Sequence, residues 1–170
     1  GGLHGVGASV VNALSEWTVV DVYQDYCHYQ QRFESVEDPK TGKIISGRPV
    51  APLAKLGNTR RRGTSVQFKP DPRVFETVEF NGDTVRRRLR ELAYLNRGVR
   101  FIFTDERIKE PENRRVEFHY EGGLSDFVAY LNQEKNPVSE IISFEGEREG
   151  VRLRVAIQYT DSYNENLFSF

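Results

Sequence analysis

Methionine is absent from this sequence of 170 residues, and cysteine and tryptophan occur once each. The lone Cys27 excludes an intrachain disulfide framework and fits a reducing compartment, so a cytoplasmic location is expected. Near Asp25 and His28 it reads as an inert thiol, and His28 itself as a solvated or cross-strand residue. No apolar run approaches the length of a membrane span and no secretory signal is legible, so no membrane is expected among the partners. GxxxxGK[ST] occurs nowhere, which excludes a Walker-type phosphate loop with its lysine. Gly5-Val6-Gly7-Ala8-Ser9-Val10 lacks the third glycine of GxGxxG and has no strand before it, so the dinucleotide fingerprint is excluded too. Neither sign of charge dominates: 24 Lys and Arg face 25 Asp and Glu, for a net charge of −1. A nucleic-acid surface therefore does not follow from charge alone. With no initiator methionine, a start inside a glycine loop and an end on Phe168-Ser169-Phe170, the chain reads as an internal piece of a longer protein.

What is present is the composition of a globular protein: 38% hydrophobic, 29% charged and 12% aromatic residues. Charge is unevenly spread. Residues 1–120 hold 20 Lys and Arg against 16 acids, whereas residues 121–170 hold 4 against 9. The change of sign predicts a boundary near 120, giving domains at 1–120 and 121–170.

The organising stretch is Gly1-Gly2-Leu3-His4-Gly5-Val6-Gly7-Ala8-Ser9-Val10-Val11-Asn12-Ala13-Leu14. Glycine permits positive φ and lets backbone amides approach a ligand with no Cβ in the way. A helix beginning where the glycines stop turns its free N–H groups and positive dipole end towards the loop. Loop and helix together suit an anion, and phosphate above all. A purely structural turn stays open as the plainer reading. Val10, Val11, Ala13 and Leu14 are expected to form the helix's apolar face, with Ser9 and Asn12 opposite.

Trp17–Tyr23 and His28–Glu34 read as a hairpin around Gln24–Cys27. Residues 35–49 have loop composition, with a turn at Pro39–Gly42, and 50–56 offer a short strand. Arg60-Arg61-Arg62-Gly63-Thr64 leads into a half-buried strand carrying Val66 and Phe68. Asp83 reads as the cap of a helix whose buried stripe is Val85, Leu89, Leu92 and Leu95, with Arg86, Arg87, Arg88 and Arg90 on its wet side. Gly98 should stop it. Residues 99–104 and 115–120 form strands around a charged loop, His119 having a packing role. Gly122-Gly123 opens a helix with Leu124, Phe127, Val128 and Leu131 on one face. Glu121 and Asp126 in its first turn would repel an anion, whereas the first loop meets no carboxylate before Glu16. Residues 141–144 and 151–159 read as strands, with Val151, Leu153, Val155 and Ile157 inward, and Leu167 as the start of another.

The fourteen-residue glycine string resembles the ATP-lid motif of the GHKL ATPases, and within them the B subunits of bacterial type II topoisomerases. His119-Tyr120-Glu121-Gly122-Gly123 and Tyr163-Asn164-Glu165-Asn166 extend the likeness along the whole chain, nearer to gyrase than to topoisomerase IV. Against that family, residues 35–49 look like an insertion. The resemblance implies an α+β fold: the C-terminal part of a GHKL α/β sandwich, mostly antiparallel sheet with helices on one face, then the start of a transducer domain of the ribosomal S5 domain 2-like type. It implies ATP and Mg²⁺ as cofactors, with Gly2, Leu3, His4, Gly5, Val6, Gly7 and Ala8 on the phosphates and Thr64 in the adenine network. The general-base glutamate, the Mg²⁺-holding asparagine and the adenine-binding aspartate are expected upstream, and the lysine that reaches the γ-phosphate downstream. No catalytic or metal-binding residue is therefore assigned within the chain. Implied partners are the A subunit of gyrase (in an A2B2 heterotetramer), a second copy of the same chain through ATP-dependent dimerisation, and duplex DNA. The implied activity is ATP-driven strand passage with negative supercoiling. Two other readings stand beside it: a non-catalytic β-rich interaction module, and direct DNA contact through Arg60–Arg62 or Arg86–Arg90.

Overall fold

The computed structural model describes residues 5–170. The chain divides into two compact units, one ending at Glu79 and the other spanning Phe80–Phe170. Position 120, where the charge changes sign, lies inside the second.

In the first unit a short helix α1 (Gly7–Ala13) leads into five strands, β1 (Ser15–Gln24), β2 (Cys27–Glu37), β3 (Ile44–Pro49), β4 (Ala54–Asn58) and β5 (Gly63–Pro70). All pairings are antiparallel, in the order β3-β2-β1-β5, and β4 shares the β2 edge with β3. The two-residue period sorts this sheet into unlike faces. On one, Asp21 stands beside Gln30 and Val19 beside Arg32. That face carries an Arg32–Glu34 pair at 2.7 Å and the Arg32 guanidinium over the Trp17 ring at 5.1 Å. On the other stand Phe33, Val20, Val22, Val66 and Phe68.

Segment 35–49 is not a loop. β2 runs on to Glu37, Asp38 holds a tight turn by accepting from Lys40 N–H and Thr41 Oγ1, and β3 returns. The glycines and prolines that suggested a loop are spent on the turn and the strand's end. Gly47 (φ +59) also has a steric duty: a Cβ there would come within 2.6 Å of Asn12 Nδ2. Asn12 donates to the Gly47 carbonyl, and Ser15 Oγ donates to the Val11 carbonyl. The packed side of α1 is thus Val11 and Asn12, while Val10, Ala13 and Leu14 are exposed, so the expected apolar face is corrected.

The β1–β2 turn places Asp25 (φ 52) and Tyr26 (φ 58) in the left-handed region. Such a turn prefers glycine at its second central residue, since an L side chain there costs about 1–2 kcal/mol. Tyr26→Gly should therefore stabilise the protein by about 1 kcal/mol, read as a higher midpoint in thermal or urea unfolding.

The second unit contains α2 (Gly82–Leu95), β6 (Phe101–Thr104), a single turn α3 (Pro111–Arg114), β7 (Arg115–Phe118), α4 (Leu124–Leu131) and the ribbon β8 (Ile142–Arg148) and β9 (Val151–Ile157). Asn81, not Asp83, caps α2, its side chain accepting from Thr84 N–H at 2.9 Å. The core is Ala93, Tyr94, Phe118 and Phe127, with the Tyr94 ring stacked on Tyr120 at 3.7 Å. Burial first, and a hydrogen bond with Tyr120 second, raise the Tyr94 hydroxyl pKa, so it stays protonated.

Three further expectations for this unit are corrected. The inward face of α2 includes Arg86 and Arg90, four residues apart and in line with Tyr94, while Leu92 is exposed. Arg90 lies over the rings of Phe118 and Tyr130 and donates to the Tyr130 hydroxyl, and Arg86 lies over Phe103. Val151, Leu153 and Ile157 are exposed because β8–β9 is a two-stranded ribbon outside the main sheet, with α4 packed on it. Residues 164–170 form no strand; Phe168 and Phe170 set their rings against Phe127. No helix among the described residues is long and apolar enough to cross a membrane.

Candidate nucleotide site

The predicted site residues Gly2, Leu3 and His4 lie outside the described residues. Gly5 has φ +62, a conformation glycine adopts without the penalty of a Cβ. Val6 caps α1 through its backbone alone, with no side-chain hydrogen bond to the first amides. The first turn carries no acid. Among the described residues, a Cβ built on Gly5 or Gly7 would meet nothing within 4 Å. Gly5, Val6, Gly7 and Ala8 are all exposed. Such a segment can offer main-chain N–H groups to an anion and nothing else; it contains no nucleophile and no base.

The second Gly-Gly helix differs in the way its acids foretold. Gly122 N–H is already taken by the Asp126 carboxylate, 2.8 Å away in the first turn of α4. A carboxylate of the chain itself thus occupies the place an anion would take. Among the described residues, the first turn of α1 carries no acid, whereas α4 has Asp126 there.

Thr64 pairs with Val22 across β1–β5 and is exposed. It shares the sheet face of Val66 and Phe68, which are 50% and 41% exposed, so this apolar surface has little cover. Val22 stands seven residues from Ser15, where α1 is anchored. That separation is roughly 23 Å measured along the strand. Loop and threonine are thus fixed at separate ends of β1.

Other polar clusters offer no chemistry. His28 Nε2 lies 2.7 Å from Asp21 Oδ1, and Gln30 donates to the same oxygen at 2.8 Å. These bonds hold the Asp21 carboxyl below its ordinary pKa, Gln30 first and His28 second, against the upward push of burial. Cys27 is the next residue to His28 on β2, so the strand's alternation sends its thiol to the opposite face, and no Cys–His couple forms. A cleft of about 470 Å³ runs past Glu16, Trp17, Arg32, Glu34, Asp71 and Arg73. Its acids are paired, Glu16 with Lys69, Glu34 with Arg32 and Asp71 with Arg73, leaving no free acid or base. Among the described residues no cluster of three His, Cys, Asp or Glu could hold a metal ion.

Sequence reasoning missed Asp71. It is 1% exposed, and Arg73 grips its carboxylate through Nε and Nη2. The same guanidinium donates to the Ser35 carbonyl, and Asp71 N–H donates to the Leu14 carbonyl. Residue 71 thereby ties the end of β5 to β2 and to the end of α1. The signal was a Pro-Asp-Pro-Arg run closing a strand, which reads as a turn until its partners are seen.

Comparison with known proteins agrees along the chain. The DNA gyrase B family model matches residues 123–170. The B subunit of DNA topoisomerase 4 from Bacillus subtilis is 48% identical over 170 residues, covering 100% of this chain and 24% of that protein. The B subunit of DNA gyrase from Clostridium acetobutylicum is 46% identical over 172 residues, covering 100% of this chain and 25% of that protein. Among solved structures, the 43K ATPase domain of Thermus thermophilus gyrase B, in complex with an aminocoumarin, superposes with a TM-score of 0.73. It is 34% identical and covers 95% of this chain and 41% of that one. The chain therefore spans about a quarter of the length of the curated relatives it matches. Both gyrase and topoisomerase IV proteins stand among the relatives at similar identity, and neither is singled out. With an antiparallel α+β architecture, the chain is similar over its whole length to the B subunits of type II topoisomerases.

Proposed function

We propose that this chain is the lid-and-sheet part of an ATP-binding topoisomerase B subunit, and that Gly2, Leu3, His4, Gly5, Val6, Gly7 and Ala8 hold the triphosphate of ATP. The observation that carries the reading is the 34% identity, over 95% of the chain, to a gyrase B ATPase domain. The open, uncapped start of α1 supports it, because backbone amides in fixed positions stabilise charge on a transferring phosphoryl group without covalent chemistry. Thr64 is assigned to the adenine end, where its hydroxyl joins the network that recognises the base. Mg²⁺, whose protein ligands are expected outside these residues, would supply neutralisation of the triphosphate charge.

The full-length protein, on this reading, couples ATP binding and hydrolysis to dimer closure and passage of duplex DNA, together with an A subunit in the cytoplasm. Gyrase-type negative supercoiling is preferred over topoisomerase IV-type activity on the glycine string and the Tyr163–Asn166 run; a supercoiling assay with the A subunit added separates them. A domain boundary near 120 remains part of the proposal, supported by the family match that begins at residue 123.

The 170-residue chain by itself is expected to show no ATP turnover, since it has no assigned general base. A coupled phosphate-release assay checks this, and turnover above buffer would contradict it.

A further inference from the structure

Four residues, 59–62, connect β4 to β5. β4 pairs with β2 and β5 pairs with β1, so the connection crosses the ends of both strands, over the Asp25–Tyr26 turn. Thr59 N–H donates to the Tyr26 carbonyl at 2.9 Å, and Thr59 Oγ1 accepts from Arg61 N–H at 3.1 Å. The crossing is therefore fixed to the hairpin tip at one sheet end. It carries Arg60, Arg61 and Arg62, all exposed, and none of the three makes an ion pair among the described residues. Beneath them Tyr26 is 76% exposed and sits in a left-handed conformation that glycine would adopt without strain. Residues held in strained backbone conformations cluster at sites of ligand contact, which makes this exposed aromatic a candidate for one. The other basic cluster, on α2, is partly consumed: Arg86 and Arg90 turn onto aromatic rings.

We propose that the Arg60–Arg62 crossing and Tyr26 form a contact surface for the phosphate backbone of duplex DNA. Consecutive guanidiniums present forked donors suited to phosphate oxygens, and a phenol hydroxyl is a usual additional donor to the backbone. One acid, Asp25, lies in the tip itself, too little to cancel three guanidiniums. The inference rests on the proposed function, which supplies duplex DNA as the substrate.

The test uses the full-length protein and a fluorescent duplex oligonucleotide titrated over a range of salt. Joint substitution Arg60→Gln, Arg61→Gln and Arg62→Gln should flatten the plot of log affinity against log salt by about 2–3, the share of three phosphate contacts. Duplex affinity at the low-salt end should fall at least tenfold, with binding of an ATP analogue unchanged. Tyr26→Gly should lower duplex affinity at an unchanged slope while the melting temperature rises, which separates contact from folding. An unchanged slope in the triple variant overturns the proposal. So does a wild-type preference for single-stranded over duplex DNA that disappears with Tyr26. A wild-type protein that fails to bind the ATP analogue would instead sink the function on which the surface depends.

Discussion

Gly5→Val in the full-length protein is expected to weaken binding of a non-hydrolysable ATP analogue at least a hundredfold while the fold is retained. Gly5 holds φ +62, where a β-branched residue costs about 1–3 kcal/mol, so the loop would turn away from its present path. The fold should survive because a Cβ at Gly5 meets no described residue within 4 Å and the residue is exposed. Gly7→Ala sharpens the comparison. Gly7 has no positive φ and lies in α1, so alanine there should favour the helix by about 0.5–1 kcal/mol. Analogue binding that weakens although the helix gains would mean the missing Cβ is space for phosphate. Isothermal titration with each variant, beside circular dichroism for the fold, reads both quantities; unchanged affinity in both variants would favour the plain structural turn.

Asp71→Ala is expected to destabilise the first unit by about 2–3 kcal/mol, less than for a fully buried pair because Arg73 is 37% exposed and partly solvated. The variant loses the bidentate Arg73 bond and frees the guanidinium that holds the Ser35 carbonyl. The midpoint of thermal unfolding should fall by roughly 5–10 °C. Acid should narrow the gap between wild type and variant. Arg73 holds the Asp71 carboxyl below its ordinary value in the folded protein. A depressed folded pKa contributes stability that is present above the unfolded value, about 3.9, and is lost as pH falls through the folded one. The gap should therefore begin to close as pH falls below about 4, and a gap that widened there would contradict the assignment.

Much of the fold was legible because local chemistry and tertiary context agree. The β1–β2 hairpin follows from β-branched and aromatic runs around a short turn, and Gly98 (φ 76) and Gly123 (φ 61) stand where helices end and begin. What escaped was decided by partners distant in sequence. Arg86 and Arg90 read as a wet face until Phe103, Phe118 and Tyr130 supply rings to lie on. Val151 and Leu153 alternate like buried residues, yet burial requires an opposing layer, and a two-stranded ribbon has little. Phe168 and Phe170 have strand-like spacing but find the Phe127 ring instead of a ladder. For the site, the glycine string pointed to the N-terminal loop, and Asp126, one of the acids weighed against the second Gly-Gly helix, accepts from Gly122 N–H. Asp71, whose whole meaning lies in Arg73, Ser35 and Leu14, could not be weighed from its neighbours in sequence.

The most direct test is a crystal structure of the N-terminal region of the full-length protein with a non-hydrolysable ATP analogue and Mg²⁺. Phosphate oxygens should lie at hydrogen-bond distance, about 2.7–3.2 Å, from the backbone nitrogens of Gly5, Val6, Gly7 or Ala8. A triphosphate bound at Gly122–Gly123, or anywhere else with those four amides facing only solvent, would contradict the assignment.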